Sequence, residues 1–131
     1  MLLSLIESHC IPILMYACEC VVWNKSMINS MERAYNQAYN KIFKTYDVTI
    51  VNRCKYYLGY LPGELKYVSK KINFLSCLNK SSNIVIRILK KMDNDFDKLS
   101  DIYSLGGEAN LRTDLWNYFV RSSLPDDILD N

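Results

Sequence analysis

Residues able to do chemistry are few and widely separated in this 131-residue chain. Catalysis by two metal ions needs carboxylates that hold the ions about 4 Å apart. Asp126-Asp127 is the only acidic doublet, and it follows Pro125 without strand signals, so we interpret it as a carboxylate pair at a helix start. The chain has no Gly-rich phosphate loop. These observations predict no catalytic residue and no cofactor, so the chain by itself is not expected to be an enzyme.

Sulfur and imidazole groups raise the question of a metal site. His9-Cys10 and Cys18-Glu19-Cys20 lie about two helical turns, or ~12 Å, apart, whereas zinc needs its ligands within about 2.3 Å of one centre. Buried small cysteines and a hydrogen-bonded structural His9 are the favoured interpretation, and no metal is predicted. The five cysteines follow no framework spacing, which favours reduced thiols and an intracellular location, in the nucleus or cytoplasm.

The net charge of +2 is unevenly distributed. Residues 1–23 carry −2, residues 24–91 carry thirteen basic against three acidic side chains for +10, and the remainder carries −6. Such asymmetry is typical of a chain whose basic part meets a polyanionic partner. An ordinary solvated surface is the alternative interpretation.

The basic residues recur at helical spacing. Arg33, Gln37, Lys41 and Lys44 are three and four residues apart, which would align them on one exposed helix face. A later helix is expected to point three more cations outward. The predicted contacts with nucleic-acid phosphates are therefore Arg33, Lys41, Lys44, Lys66, Lys70 and Lys71. With about five phosphate contacts, log affinity should fall with log salt at a slope of roughly −4 to −5.

The chain has only four Gly and three Pro, so it contains few of the residues that favour turns. The sequence therefore predicts an all-α fold, an irregular bundle of about five to six helices with no substantial sheet. Residues 1–92 are expected to form the bundle with its basic middle, and residues 93–131 an acidic extension with a short helix. The expected helices cover 2–23 with a break or kink at Pro12, then about 27–46, 49–58, 62–78, 84–92 and 111–120.

The first predicted helix is almost wholly apolar and should be buried on most sides. Glu7, His9, Pro12 and Glu19 interrupt it, and no basic residue precedes it, so neither a signal sequence nor a membrane span is favoured. Among the tyrosines interleaved with the basic residues, Tyr35, Tyr46 and Tyr67 are expected in the core. Tyr39, Tyr56 and Tyr57 stay open between core packing and support of unstacked bases.

Three motifs carry a family resemblance over about residues 2–90. Pro12, Leu14, Tyr16, Glu19 and Trp23 stand in step with the Pro-x-Leu-x-Tyr-Gly-x-Glu-x-x-Trp-like run by which reverse transcriptases of non-LTR (LINE-type) retrotransposons leave the palm. The usual Gly after the Tyr is Ala17 in this chain.

The other two motifs follow in the same order. Met31-Glu32-Arg33, with residues 39–43 after it, resembles the family's Leu-Glu-Arg helix. Residues 57–62 resemble its Glu-Leu-Gly-x-x-Pro turn, with Gly59 one residue closer to Pro62 than in some members and without the preceding Glu. The resemblance implies a helical thumb, which in the family packs against the primer–template duplex.

Two functions from different classes follow. The first is a non-catalytic fragment of an RNA-directed DNA polymerase that grips the backbone of an RNA–DNA hybrid or duplex without reading sequence. The second is a protein–protein module whose apolar first helix docks on an upstream palm domain or on another copy. A degenerate gene fragment without activity is a third alternative.

Overall fold

The computed structural model describes residues 2–90, 98, 101–103 and 110–123. Throughout these ranges the regular structure is helical and contains no strand, which confirms the predicted all-α class and the absence of a sheet. The predicted boundary between residues 92 and 93, and the acidic doublet Asp126-Asp127, lie outside the described residues.

The N-terminal segment, residues 2–23, is helical up to Leu14 and passes through Pro12 without breaking. Proline lacks an N–H, and its ring crowds the carbonyl four residues earlier. The turn before it is accordingly widened, and the Ile11 N–H bonds to the Ile6 carbonyl five residues back. The elements are helix α1 (Leu2–Leu5), a π-helical turn (Ile6–Cys10), helix α2 (Ile11–Leu14) and a 3-10 turn (Cys18–Cys20).

Three of the helices have side-chain caps at or near their first residue. Asn24 accepts the Met27 N–H at 2.9 Å, Asp47 accepts the Thr49 N–H at 2.8 Å, and Asn83 accepts the Val85 N–H at 2.9 Å. Gly59 ends a helix in the left-handed conformation, with φ +73°, as expected. The helices are α3 (Lys25–Phe43), α4 (Val48–Leu58), α5 (Gly63–Lys80), α6 (Ile84–Lys90) and α7 (Leu111–Ser123).

Helix α5 is the centre of the described bundle, because α3, α6, α7 and the 3-10 turn all contact it. Helix α7 packs on both α4 and α5, and its Leu115 and Phe119 are fully buried in the same core as Tyr35 and Val68. The acidic C-terminal part therefore contributes a helix to the bundle's core.

Burial of the N-terminal segment differs from the prediction. Ile11, Met15 and Cys18 are buried, whereas Ile13, Tyr16 and Val22 are 77%, 85% and 83% exposed. The expectation of burial on most sides is therefore wrong. The physical reason is that the segment packs on the bundle through one side only, and no described element covers the other.

One helical stretch among the described residues, Leu2–Cys20, is long and apolar enough to cross a bilayer by length and composition. Core helices and signal sequences meet the same criterion, so the finding by itself does not assign the segment to a membrane.

Candidate functional site

The predicted cations on α3 form an open row. Arg33, Lys41 and Lys44 are all exposed, and none of them makes an ion pair with another described residue. Arg33 and Lys41 lie eight residues, or about 12 Å, apart along α3, and Lys44 directly follows the end of the helix. The structure therefore leaves this half of the predicted basic site free to meet anions.

The three lysines of α5 are placed differently. The Lys66 ammonium binds the Glu7 carboxylate, Lys70 Nζ donates to the Met15 carbonyl at 3.2 Å, and Lys71 Nζ donates to the Glu19 carbonyl at 3.4 Å. The prediction that they point outward is wrong, most clearly for Lys71, which is 9% exposed. Lys66 reaches from α5 to a side-chain carboxylate, whereas Lys70 and Lys71 reach to backbone carbonyls near the end of the N-terminal segment, which carry partial negative charge.

The six predicted cations are therefore not brought together on one surface. Three remain open on α3, while three hold the N-terminal segment to α5. The charge of the sequence segment does not distinguish the three exposed cations from the three bound lysines. It carries no information about which oxygen atoms lie near each side chain in the fold.

A buried polar cluster, which sequence reasoning missed, lies where α3, α5 and the N-terminal segment meet. Tyr35 and Tyr39 donate to Glu7 Oε1 at 2.6 and 2.8 Å, and their hydroxyls are 3.1 Å apart. Lys66 binds the other oxygen, Glu7 Oε2. The available signal was Glu7 itself, since a carboxylate within an apolar helix needs partners when it is buried.

Burial and hydrogen bonding shift the pKa values in this cluster. Burial alone raises the pKa of Glu7, but the hydrogen bonds from Lys66, Tyr35 and Tyr39 lower it further, so the pKa lies below 4.5. Burial, together with the hydrogen bond to Glu7, raises the pKa of Tyr35 above its ordinary range. Glu7 is therefore an anion held by neutral hydroxyls and an ammonium at neutral pH.

Lys55 forms a second buried centre beside the first. It is 0% exposed, its ammonium donates to Glu32 Oε1 at 3.3 Å and to the Asn36 amide oxygen, and it lies 4.4 Å from the centre of the Tyr35 ring. Burial lowers the pKa of Lys55, although the Glu32 carboxylate acts to raise it.

Glu32 also accepts the Glu64 N–H at 2.8 Å through its second oxygen. This bond joins the Met31-Glu32-Arg33 motif on α3 to the first turn of α5, directly after Pro62. The motif residues therefore hold helices together here.

An open cleft of about 560 Å³ adjoins the Glu7–Lys66 pair. Because the cleft is open, solvent protons can reach the carboxylate. Its other lining residues are Gly59, Tyr60, Leu61, Ser69, Asn73, Leu111 and Arg112.

The tyrosines divide between core and surface. Tyr35 and Tyr67 are buried as predicted, and Tyr39 is fully buried as well. The prediction of a core position for Tyr46 is wrong, because α3 ends at Phe43 and leaves that ring 90% exposed. Tyr57 is also exposed, while Tyr56 is half-buried and stacks on Trp116 at 5.7 Å.

No three His, Cys, Asp or Glu side chains gather into a metal-binding group within the described ranges. His9 is exposed on the N-terminal segment, and all five cysteines are free thiols. The expected burial therefore holds for Cys18 but is wrong for His9, Cys10 and Cys20, which are exposed.

Comparison of the chain with models of known protein families, with curated proteins and with solved structures finds no match.

Proposed function

We propose that this chain is a non-catalytic helical piece of a retrotransposon-type RNA-directed DNA polymerase that binds the backbone of the primer–template duplex. The observation that carries the proposal is the open row of Arg33, Lys41 and Lys44 on α3, the longest helix of the described fold. Binding through side-chain charge to phosphates would be independent of base sequence.

The dimensions of the row suit a nucleic-acid strand. Arg33 and Lys41 lie about 12 Å apart along α3, with Lys44 directly beyond the helix end, and consecutive phosphates of one strand rise roughly 3.4 Å along a duplex axis, so three cations can reach separate phosphates. Lys66, Lys70 and Lys71 are held by the N-terminal segment and are left out of the count. Three contacts in place of about five reduce the expected salt slope to roughly −2 to −3.

The resemblance supports the proposal at positions that have physical roles here. Ala17, where the family has Gly, adopts φ +53°, a backbone conformation that favours glycine. Gly59 adopts φ +73° at the end of α4. Glu32 bridges α3 to the start of α5. Each of the three motifs that carry the resemblance thus includes a residue with a defined structural role in this fold.

A salt titration tests the proposal. The affinity of the 131-residue chain for a labelled, blunt RNA–DNA hybrid is measured by fluorescence anisotropy at several salt concentrations. The pair Arg33→Gln and Lys41→Gln should make the slope shallower by about 2, since each phosphate contact contributes about one.

The matched control is the pair Arg112→Gln and Arg121→Gln, which removes the same charge from exposed positions on α7. It should leave the slope close to that of the unmodified chain. Absence of binding at low salt, or an equal change in the control pair, would reject duplex binding through α3.

A second candidate function rests on the uncovered side of the N-terminal segment. Leu2, Leu5, Ile13, Tyr16 and Val22 are exposed there, and clustered exposed apolar side chains are typical of a surface that binds another protein. The resemblance makes an upstream palm domain the expected partner for this surface, with self-association the outcome when that domain is missing.

Light scattering coupled to size-exclusion chromatography tests this second candidate. The chain should self-associate, and the pair Ile13→Glu and Val22→Glu should restore a monomer without loss of helicity by circular dichroism. A chain that elutes as a monomer at every concentration would count against docking through this surface.

A further inference from the structure

Tyr46 is the most exposed of the large hydrophobic side chains in the described fold, with 90% of its surface open to solvent. It lies in the short connection between α3, which ends at Phe43, and α4, which begins at Val48. An aromatic ring in this position gains nothing from the core, so its contribution to stability through burial is close to zero.

The backbone that carries Tyr46 is nevertheless firmly held on both sides. The Thr45 N–H donates to the Asn40 carbonyl at 3.2 Å, and the Asn40 amide, with its nitrogen turned towards them, donates to the Asn36 and Thr45 carbonyls at 3.2 Å. On the other side, the Asp47 N–H donates to Thr45 Oγ1 at 3.2 Å. The ring is therefore presented from a fixed position, which lowers the entropy lost on binding a flat partner.

Positive charge lies close to Tyr46 in the chain. Lys41 is exposed in the last turn of α3, and Lys44 is exposed directly after it, two residues before Tyr46. Lys44 takes the left-handed conformation, with φ +51°, at the helix end where glycine is the favoured residue. Glycine would make this left-handed position more stable. What a lysine provides here, and glycine would not, is a positively charged side chain.

The nearby negative group is Asp47, whose carboxylate accepts the Thr49 N–H at 2.8 Å and caps α4. Its charge faces the positive end of that helix, which partly offsets it. The end of α3 and its connection to α4 thus combine one exposed aromatic ring, two exposed cations and one carboxylate that caps α4.

We infer that Tyr46, with Lys44 and Lys41, forms a stacking site for an unpaired base of a nucleic acid whose flanking phosphates the two lysines contact. The inference rests on the proposed function and names its substrate class, a hybrid or duplex that carries a single-stranded overhang. Base stacking on an aromatic ring is insensitive to sequence, as backbone contact is, because every base has a π face.

The test compares two labelled probes, a blunt RNA–DNA hybrid and the same hybrid with an unpaired RNA overhang. The full chain should bind the overhang probe more tightly. Tyr46→Ala should weaken binding of the overhang probe by roughly 5- to 150-fold and leave the blunt probe unchanged, whereas Tyr46→Phe should retain the preference. The matched control is Tyr57→Ala, which removes another exposed ring, 73% open to solvent, that lies on α4.

The outcomes separate this inference from the function on which it rests. If the blunt probe binds with the expected salt slope but Tyr46→Ala changes neither probe, or both equally, the stacking site is rejected and duplex binding stands. If the blunt probe does not bind but the overhang probe binds in a Tyr46-dependent way, the stacking site stands and the duplex proposal fails. If neither probe binds, both are rejected.

Discussion

Among the residues that the structure describes, two other than glycine, Ala17 and Lys44, adopt a left-handed backbone conformation. A β-carbon in that conformation comes close to a carbonyl oxygen, at a cost of roughly 1–2 kcal/mol. Each of them follows a helix, at a point where the chain must change direction. Local strain of this kind is tolerated because the turns are also held by tertiary contacts.

Ala17→Gly should stabilise the fold by about 0.5–1 kcal/mol, because relief of the strain exceeds the added entropy of the unfolded chain. The Ala17 side chain is exposed, so no packing is lost. Urea denaturation measures the change. Ala34→Gly, the same substitution at an exposed position within α3, should destabilise by about 0.5–1 kcal/mol, and equal effects of the two would contradict the explanation.

Glu7→Gln tests the buried cluster through its dependence on pH. The pKa of Glu7 is lowered in the folded state, so its charge contributes stability fully above about pH 4.5, and this contribution is lost as pH falls through the folded pKa. Glu7→Gln should lower the free energy of unfolding at pH 7 by about 1–3 kcal/mol and make its decrease towards pH 3 shallower.

Urea denaturation at intervals from neutral to acidic pH measures this effect. Asp101→Asn makes the same chemical change at an exposed carboxylate and serves as the control. An acid dependence identical in the unmodified chain and in Glu7→Gln would remove Glu7 from the acid-sensitive groups.

At the scale of the helices, the contact between α3 and the start of α5 depends on Gly63, which has no β-carbon. A β-carbon added to Gly63 would lie 2.6 Å from Glu32 Oε2 and 3.2 Å from both Met31 Sδ and the Tyr35 ring. The same Glu32 oxygen accepts the Glu64 N–H. Close approach of the two helices therefore requires glycine at this position.

Gly63→Ala should destabilise the fold by about 1–3 kcal/mol, although alanine has the better helix propensity. Thermal and urea unfolding measure the loss. The cost should be smaller in a chain that also carries Glu32→Ala, because that change removes the nearest atom. Equal costs in the two backgrounds would show that the clash with Glu32 is not the cause.

The helices were predictable because their signals are local. Caps at Asn24, Asp47 and Asn83 and the left-handed Gly59 are properties of a few neighbouring residues, and the structure places helix ends close to them. The exposed sides were less predictable. Lys71 and Tyr46 both follow helical spacing, yet one is buried and the other is open, because their surroundings depend on distant parts of the chain.

The candidate site shows the same division. Exposure of Arg33, Lys41 and Lys44 agrees with the pattern on one helix. The partners of Lys66, Lys70 and Lys71 lie more than fifty residues away, in a segment whose composition predicted burial on most sides. Only the packed arrangement shows that these lysines bind the chain's own oxygens.

At the scale of the whole molecule, α7 packs into the shared core through Leu111, Leu115 and Phe119. Trp116 of the same helix stacks on Tyr56 of α4. A helix from the acidic part of the chain is thus tied to the basic part by apolar contacts.

Phe119→Ala should therefore destabilise the entire fold by about 3–5 kcal/mol, since the ring is fully buried. Circular dichroism and tyrosine fluorescence should report one coincident transition at a lower urea concentration. Asn117→Ala, at an exposed position of the same helix, is the control. Separate transitions for the two probes would show that α7 unfolds independently.

The Glu7–Lys66 contact also has a consequence for synthesis of the chain. Glu7 precedes Lys66 by 59 residues, so the ribosome makes the acceptor first and the ammonium group much later. At about 5–20 residues per second, roughly 3–12 s pass between the two. Throughout that interval the apolar nascent segment has no α5 on which to pack, so its apolar side chains cannot be buried in the bundle until α5 has been made.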